Sequence, residues 1–283
     1  MTAEYQEFDP VEFANDIADG FTAMVCAPRR TGKTVLITDM IAKMQKVRDW
    51  KEVYLFSETA TAQTDAYTFI PVGNKSDHLD LVKIEKIFSS QQEKRLRNEA
   101  TNKEPYRVLI IADDVINDKN ARNNGSFNKM FTQGRHYRID TFVISQTLKG
   151  FHPTARSNSD LIITWRMLKY DDRLCICEDF LSISDGTKKE CMKAAAQLMN
   201  SISEMQYRAM VVAVYKSAYA RELHEYVYHY IANPKLEPTM IGKGAKHKKS
   251  LSATFKYVDD KDKEQVLNLR ISLSGKKKYK RIV

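Results

Sequence analysis

The stretch Phe21-Thr-Ala-Met-Val-Cys-Ala-Pro-Arg-Arg-Thr-Gly-Lys-Thr-Val35 passes from an apolar segment through a short turn into Gly32-Lys33-Thr34, and then into apolar residues at helical spacing. Strand, tight turn and helix in that order are the layout of a phosphate-binding loop. Backbone N–H groups of such a turn, with the positive end of the following helix, cradle phosphates. Ala27, Pro28, Arg29, Arg30, Thr31, Gly32, Lys33 and Thr34 are therefore the predicted ATP-binding residues. In this chemistry Lys33 reaches the β- and γ-phosphates and the Thr34 hydroxyl ligates Mg²⁺. Arg29 and Arg30, inside the loop, are placed to contact phosphate in cis. One position departs from the strict pattern: Ala27 stands where the first glycine is usual, and alanine does not take a positive φ as freely.

Outward from the loop, strands and helices alternate. Phe21–Cys26 is a predicted strand, and Lys33–Val47 a helix with apolar residues at Ile37, Met40, Ile41, Met44 and Val47. Glu52–Ser57 and the near-continuous apolar run Arg107–Ala112 read as strands, the second buried on both faces. Leu79–Phe88 is amphipathic, and Ser90-Gln-Gln-Glu93 has the form of a capping box that starts a charged helix. Asn117–Gly125 reads as a loop, Ser126–Gln133 as a short helix and Asp179–Ser203 as mostly helix; Thr141–Ser145, Leu161–Thr164 and Met210–Val214 supply further strands. The alternation predicts an α/β fold of the P-loop NTPase type, with a mainly parallel central sheet and helices on both faces.

Composition limits the alternatives. A hydrophobic fraction of 43% over 283 residues is that of a chain with a real core. No apolar run approaches the length that spans a bilayer, and Met1–Asp9 is acidic rather than signal-like. The four cysteines, at 26, 175, 177 and 191, have neither zinc-site spacing nor the density of a disulfide scaffold, and read as reduced thiols. The net charge of +9 has an address: Lys235–Val283 holds 14 Lys/Arg against 5 Asp/Glu, while the other 31 basic and 31 acidic residues cancel. A neutral body with a basic tail points to a polyanionic partner, with a solubilising tail as the plainer reading. The predicted division is an N-terminal extension over 1–19, an ATPase domain over 20–234 and a basic C-terminal appendage over 235–283.

Two further motifs sit at predicted strand ends, where ligands bind in sheets of this kind. Arg107-Val-Leu-Ile-Ile-Ala-Asp113-Asp114 ends in two carboxylates, on a strand expected to neighbour the phosphate loop. Asp113 fits a holder of Mg²⁺, and Asp114 fits the group that orients and deprotonates the attacking water. Alone, the pair reads more simply as a strand end capping a turn; the upstream loop shifts the balance. Thr141-Phe-Val-Ile-Ser-Gln146 places an amide on the same edge, suited to contact the γ-phosphate or the lytic water. Arg135 and Arg156 are the candidates for a guanidinium inserted from a neighbouring subunit, with a surface ion pair as the ordinary alternative for each.

The series Arg30-Thr-Gly-Lys-Thr34, Ile110-Ile-Ala-Asp-Asp114, Gly134-Arg-His-Tyr-Arg-Ile139, Ile144-Ser-Gln146 and Pro153-Thr-Ala-Arg-Ser-Asn158 resembles the poxvirus-type virion DNA-packaging ATPases of large eukaryotic DNA viruses, within the FtsK/HerA class. The resemblance covers roughly residues 20–215. It implies an ATP-driven motor that assembles as a homo-oligomeric ring, pentameric or hexameric, and moves double-stranded DNA into a preformed capsid through a capsid protein at the packaging vertex. Its implied location is the viral assembly site in the cytoplasm or nucleus of an infected cell, with the virion as a further one. Carried across, Lys33 and Thr34 bind phosphate and Mg²⁺, Asp113 and Asp114 share metal and water, Gln146 is the sensor, and Arg135 precedes Arg156 as arginine finger. Aspartate at 114, where the family has glutamate, loosens the assignment of the catalytic base. The competing readings are a small-molecule P-loop kinase, with Arg166–Arg173 as a lid, and a nucleotide-gated DNA-binding scaffold with weak catalysis.

Overall fold

A computed structural model of the chain describes residues 5–17, 19–59, 67–99, 104–114, 124–181 and 187–241, together with the backbone of 251–258 and 264–271. Met1–Gly242 forms one compact unit and Lys243–Val283 a second. The first is built on an eight-stranded sheet in the order β3-β2-β4-β5-β1-β6-β7-β8. These strands are β1 (Thr22–Cys26), β2 (Trp50–Ser57), β3 (Lys75–Ser76), β4 (Arg107–Asp113), β5 (Ile139–Ser145), β6 (Leu161–Thr164), β7 (Arg208–Ala213) and β8 (Val227–Ile231). The six from β3 to β6 in sheet order are parallel, and β7 and β8 add antiparallel pairings at one side. The mainly parallel sheet is as the alternating pattern predicts.

Both faces of the sheet are buried, which is why its central strands read as continuous apolar runs. Along β1, Met24 and Cys26 join one core cluster while Ala23 and Val25 join the other. The second face is covered by α1 (Pro10–Asp16) and α2 (Lys33–Met44). Among the described residues, five helices cover the first face: α3 (Leu81–Glu99), α4 (Gly125–Thr132), α5 (Pro153–Ser157), α6 (Tyr170–Phe180) and α7 (Lys188–Ile202). A one-turn α8 (Val214–Ser217) follows β7. The second unit contains an antiparallel pair, β9 (Leu251–Val258) and β10 (Glu264–Ile271). Its lysine-rich runs at 243–249 and 276–281 lie outside the described residues, as does most of the loop expected at 117–125.

Several local expectations shift for physical reasons. The acidic strand β4 does not lie beside β1: β5 stands between them. The helix after the loop ends at Met44 and leaves Val47 exposed. No helix starts at Ser90, because α3 runs through it. Ile84, Ile87, Phe88 and Gln91 keep one buried face in register across that point. Gln91 is fully buried and donates to the carbonyls of Tyr106 (2.8 Å) and Tyr137 (2.9 Å), so the polar residue that suggests a cap is a core hydrogen-bonding group. The predicted helix over Asp179–Ser203 is two, with Phe180 ending α6 and a Thr187–Glu190 capping box starting α7.

At the amino edge of the parallel strands, the buried carboxylate of Asp140 sets where β1 begins. It accepts from the Phe21 N–H (3.0 Å) and the Trp50 indole (2.7 Å), with Arg48 (3.8 Å) and Arg107 (3.9 Å) supplying countercharge. Gly20 approaches the start of β5 so closely that an added Cβ would lie 2.3 Å from the Ile139 carbonyl oxygen. Gly20→Ala should destabilise the fold by about 1–3 kcal/mol, because the obstacle is backbone and cannot rotate away. Urea unfolding is the check, and a wild-type midpoint would show that the two strands are not held at this spacing.

Candidate ATPase site

The loop is shaped by two residues in the left-handed region. Arg30 has φ 64° and Gly32, the N-cap of α2, has φ 91°. Ala27 is not among the positive-φ residues, so the missing first glycine costs the loop nothing conformationally; the turn is made three residues later. Gly32 is required twice over, since a Cβ there would also lie 2.7 Å from the ring of Tyr207. Thr31 donates to the Pro28 carbonyl (2.9 Å), and Lys33 Nζ donates to the carbonyls of Ala27 (2.8 Å) and Pro28 (2.9 Å). The Arg29 and Arg30 side chains are exposed.

The interposed strand β5 joins the loop to the acidic pair. Its Ser145 carbonyl accepts from the Ala27 N–H (3.1 Å), and its Ile144 carbonyl accepts from the Asp114 N–H (3.0 Å). Asp114 turns out of β4 with φ 58°, and its Oδ2 accepts from Gln146 Nε2 at 2.7 Å. The proposed base and the proposed sensor are thus directly bonded. Half-burial lowers the pKa of Lys33, and the nearby Asp114 and Asp113 carboxylates oppose that effect. Burial raises the pKa of Asp113, while its bond with Tyr67 pulls the other way.

Three residues that no motif marks complete the surroundings. The Tyr67 phenol, close to the Thr34 side chain, donates to Asp113 Oδ2 (2.9 Å). Burial, with the Asp113 carboxylate second, pushes that phenol's pKa far above its ordinary value. Tyr207, at the start of β7, lays its ring against Gly32. Asp172, at the start of α6, is buried and pins the segment after Gln146: its Oδ1 accepts from Thr147 Oγ1 (2.7 Å), Leu148 N (2.8 Å) and Lys149 N (3.0 Å). None of the three has a sequence signature, because each reaches the site from an element distant in the chain.

The oxygen donors of Thr34 and Asp113 suit a hard cation such as Mg²⁺ rather than a soft metal. Among the described residues no group of three or more His, Cys, Asp or Glu converges to hold a metal unaided. That fits an ion held by one or two protein oxygens together with substrate phosphates.

The two candidate arginines stand elsewhere. Arg156 Nε lies 2.6 Å from Asp179 Oδ2 and its Nη1 donates to the Phe151 carbonyl (2.8 Å), an ion pair that ties α5 to α6. Arg135 lies just before β5, at the opposite edge of the sheet from the loop and about 16 Å away along a five-residue strand. It is exposed and lines a cleft with Thr22, Asn158, Asp160 and Tyr215. The Gly-Arg-His and Arg-Ser-Asn motifs therefore meet, but in that cleft and not at the nucleotide loop of the same chain.

A parallel sheet with a loop-helix phosphate cradle, two strand-end acids and an amide on the strand between them defines a P-loop ATPase. Residues 11–236 match the model of the poxvirus A32 protein family, and the chain belongs to that family, the packaging-ATPase family its motifs resemble. The fold is shared with the ATPase 2 and 3 region of EssC from Geobacillus thermodenitrificans (10% identity, TM-score 0.51, covering 89% of this chain and 54% of that one). The DNA-packaging ATPase B204 of Sulfolobus turreted icosahedral virus is also similar, at 12% identity and TM-score 0.49 over 75% of this chain and 98% of that one. So is the genome packaging NTPase B204 of Sulfolobus turreted icosahedral virus 2 in complex with AMPPCP, at 13% identity and TM-score 0.47 over 76% and 98%. No curated protein sequence matches the chain significantly.

In the Arg135 cleft, burial raises the pKa of Asp160 to about 6, against the Thr22 N–H bond and the Arg135 charge that lower it. An acid whose folded pKa is raised takes up a proton on folding between its unfolded value, near 4, and 6. Its contribution favours the fold at low pH and is lost as pH rises through 6. Asp160→Asn, which still offers an oxygen to Thr22, should gain in melting temperature relative to wild type as pH goes from 4 to 7. A pH-independent difference would mean that the carboxyl is not desolvated.

Proposed function

We propose that this ATPase is the motor that drives double-stranded viral DNA into a capsid, working as a homo-oligomeric ring. The observation that carries the reading is the Gln146–Asp114 bond across the end of β5, beside the phosphate loop. A strand-end amide that holds the catalytic base gives a pathway by which phosphate occupancy reaches the rest of the chain. Asp172 continues it, since it binds the three residues that follow Gln146 to the first turn of α6. A small-molecule kinase has no use for this linkage, and a scaffold without turnover has none for a positioned base.

Within the site, the N-terminal amides of α2 and Lys33 receive the β- and γ-phosphates of ATP. Thr34 and Asp113 hold Mg²⁺, which when bound neutralises charge on the phosphate oxygens. Asp114 orients the attacking water and takes its proton. Arg135 serves as the finger in trans: from the far edge of its own sheet it can act only on another copy, whereas Arg156 is engaged by Asp179. Among the described residues no helix is long and apolar enough to cross a membrane. DNA is gripped through phosphates without reading sequence, with the basic tail contributing; its lysine-rich runs lie outside the described residues. The docking partner is a capsid protein at the packaging vertex, and the place of action is the viral assembly site and the virion.

Steady-state ATP hydrolysis by the full chain should rise with double-stranded DNA, and the stimulation should fade as salt increases, because phosphate contacts release counterions. Lys33→Ala is the inactive control. Turnover indifferent to DNA in assembled protein would overturn the motor reading. For the finger, adding the inactive Arg135→Ala, Asp114→Ala double variant to wild type should depress activity more steeply than its share of the mixture. A proportional loss would argue against catalysis between subunits.

A further inference from the structure

Tyr67 sits in the connection between β2 and β3, with left-handed backbone (φ 56°) and only 4% of its surface exposed. Its conformation is anchored by the residues that follow it. The Ile70 N–H donates to the Tyr67 carbonyl (3.1 Å), the Ile241 N–H donates to the Phe69 carbonyl (3.0 Å), and the Phe69 ring stands edge-on at 6.2 Å. A bulky residue held in that region is strained, and such strain persists where the surroundings over-determine it. What the strained position achieves is the placement of one hydroxyl on Asp113, at the end of β4, close to Thr34 in the first turn of α2.

We infer that Tyr67 is a positioning residue for the cation that Thr34 and Asp113 hold, an inference that rests on the metal-site reading above. A phenol has one proton to give, and a carboxylate can only accept, so the Tyr67 O–H is committed to Asp113 Oδ2. Asp113 Oδ1 is left free of Tyr67 and available to a cation. One buried hydroxyl thereby orients the carboxylate ligand before it meets the ion, the role that outer hydrogen-bond partners have at metal sites generally.

The test is Tyr67→Phe in the full chain, which keeps the ring and removes only the hydroxyl. Binding of a non-hydrolysable ATP analogue is measured by calorimetry in EDTA and across a Mg²⁺ titration, beside a Mg²⁺ titration of turnover. The variant should bind the analogue in EDTA within about twofold of wild type, and should need about tenfold more Mg²⁺ to reach half-maximal strengthening of binding and half-maximal turnover. A Mg²⁺ midpoint within about twofold of wild type would overturn the inference. Equal weakening with and without Mg²⁺ would also overturn it, leaving Tyr67 with a packing role. Thr34→Ala separates the two levels. If it shifts the midpoint and Tyr67→Phe does not, only the Tyr67 inference falls; if it leaves the midpoint unchanged, the metal-site reading falls with it. Tyr67→Met, which fills the space without a hydroxyl, serves the same comparison should the phenylalanine variant not fold.

Discussion

The site depends on the backbone ladder at the end of β5. Two consecutive carbonyls of one strand, Ile144 and Ser145, bond the first residue of the phosphate loop on one side and the second acid of β4 on the other. Because β5 separates β1 from β4, the cradle and the carboxylates are held one strand apart, with Gln146 projecting from the strand between them. Main-chain hydrogen bonds in a sheet buried on both faces are costly to leave unpaired, which holds this spacing. Candidate catalytic groups that differ in charge and origin thereby keep one geometry.

Backbone strain is concentrated at the same place. Among the described residues five that are not glycine have positive φ, and four of them, Arg30, Tyr67, Asp114 and Tyr207, belong to or touch the loop and the acids. Each leaves its strand or turn in a direction that ordinary backbone would not permit. Asp114 faces Gln146, Tyr67 reaches Asp113, and Tyr207 covers Gly32. Strain of this kind, order 1–3 kcal/mol per residue, is kept where it aims a functional group.

The opposite edge of the sheet follows another logic. Asp140 is buried with two arginines and an indole, and it organises the start of β1. Beside it, Arg135, Asn158 and Asp160 line an open cleft. Motif residues are thus divided between two edges of one chain. In the proposed ring, the division has a purpose: groups that cannot meet within a subunit meet across the junction between copies.

Much of this was legible in the chain. Gly32-Lys33-Thr34 after an apolar run, Asp113-Asp114 after another and Gln146 after a third are local patterns, and local patterns identify strand ends because strand, turn and helix propensities act over a few residues. The class of fold, the nucleotide loop and the acidic pair were determined at that level. Sheet order was not: nothing near Arg107 or Thr141 says which strand lies between which, since that choice is made by packing of faces across the whole core. The harmless alanine at 27, the unbroken α3 through Ser90, and Tyr67, Asp172 and Tyr207 around the site were likewise decided only by tertiary contacts. Their partners lie tens to hundreds of residues away, and a hydrogen bond or a ring contact over that separation leaves no periodicity to read.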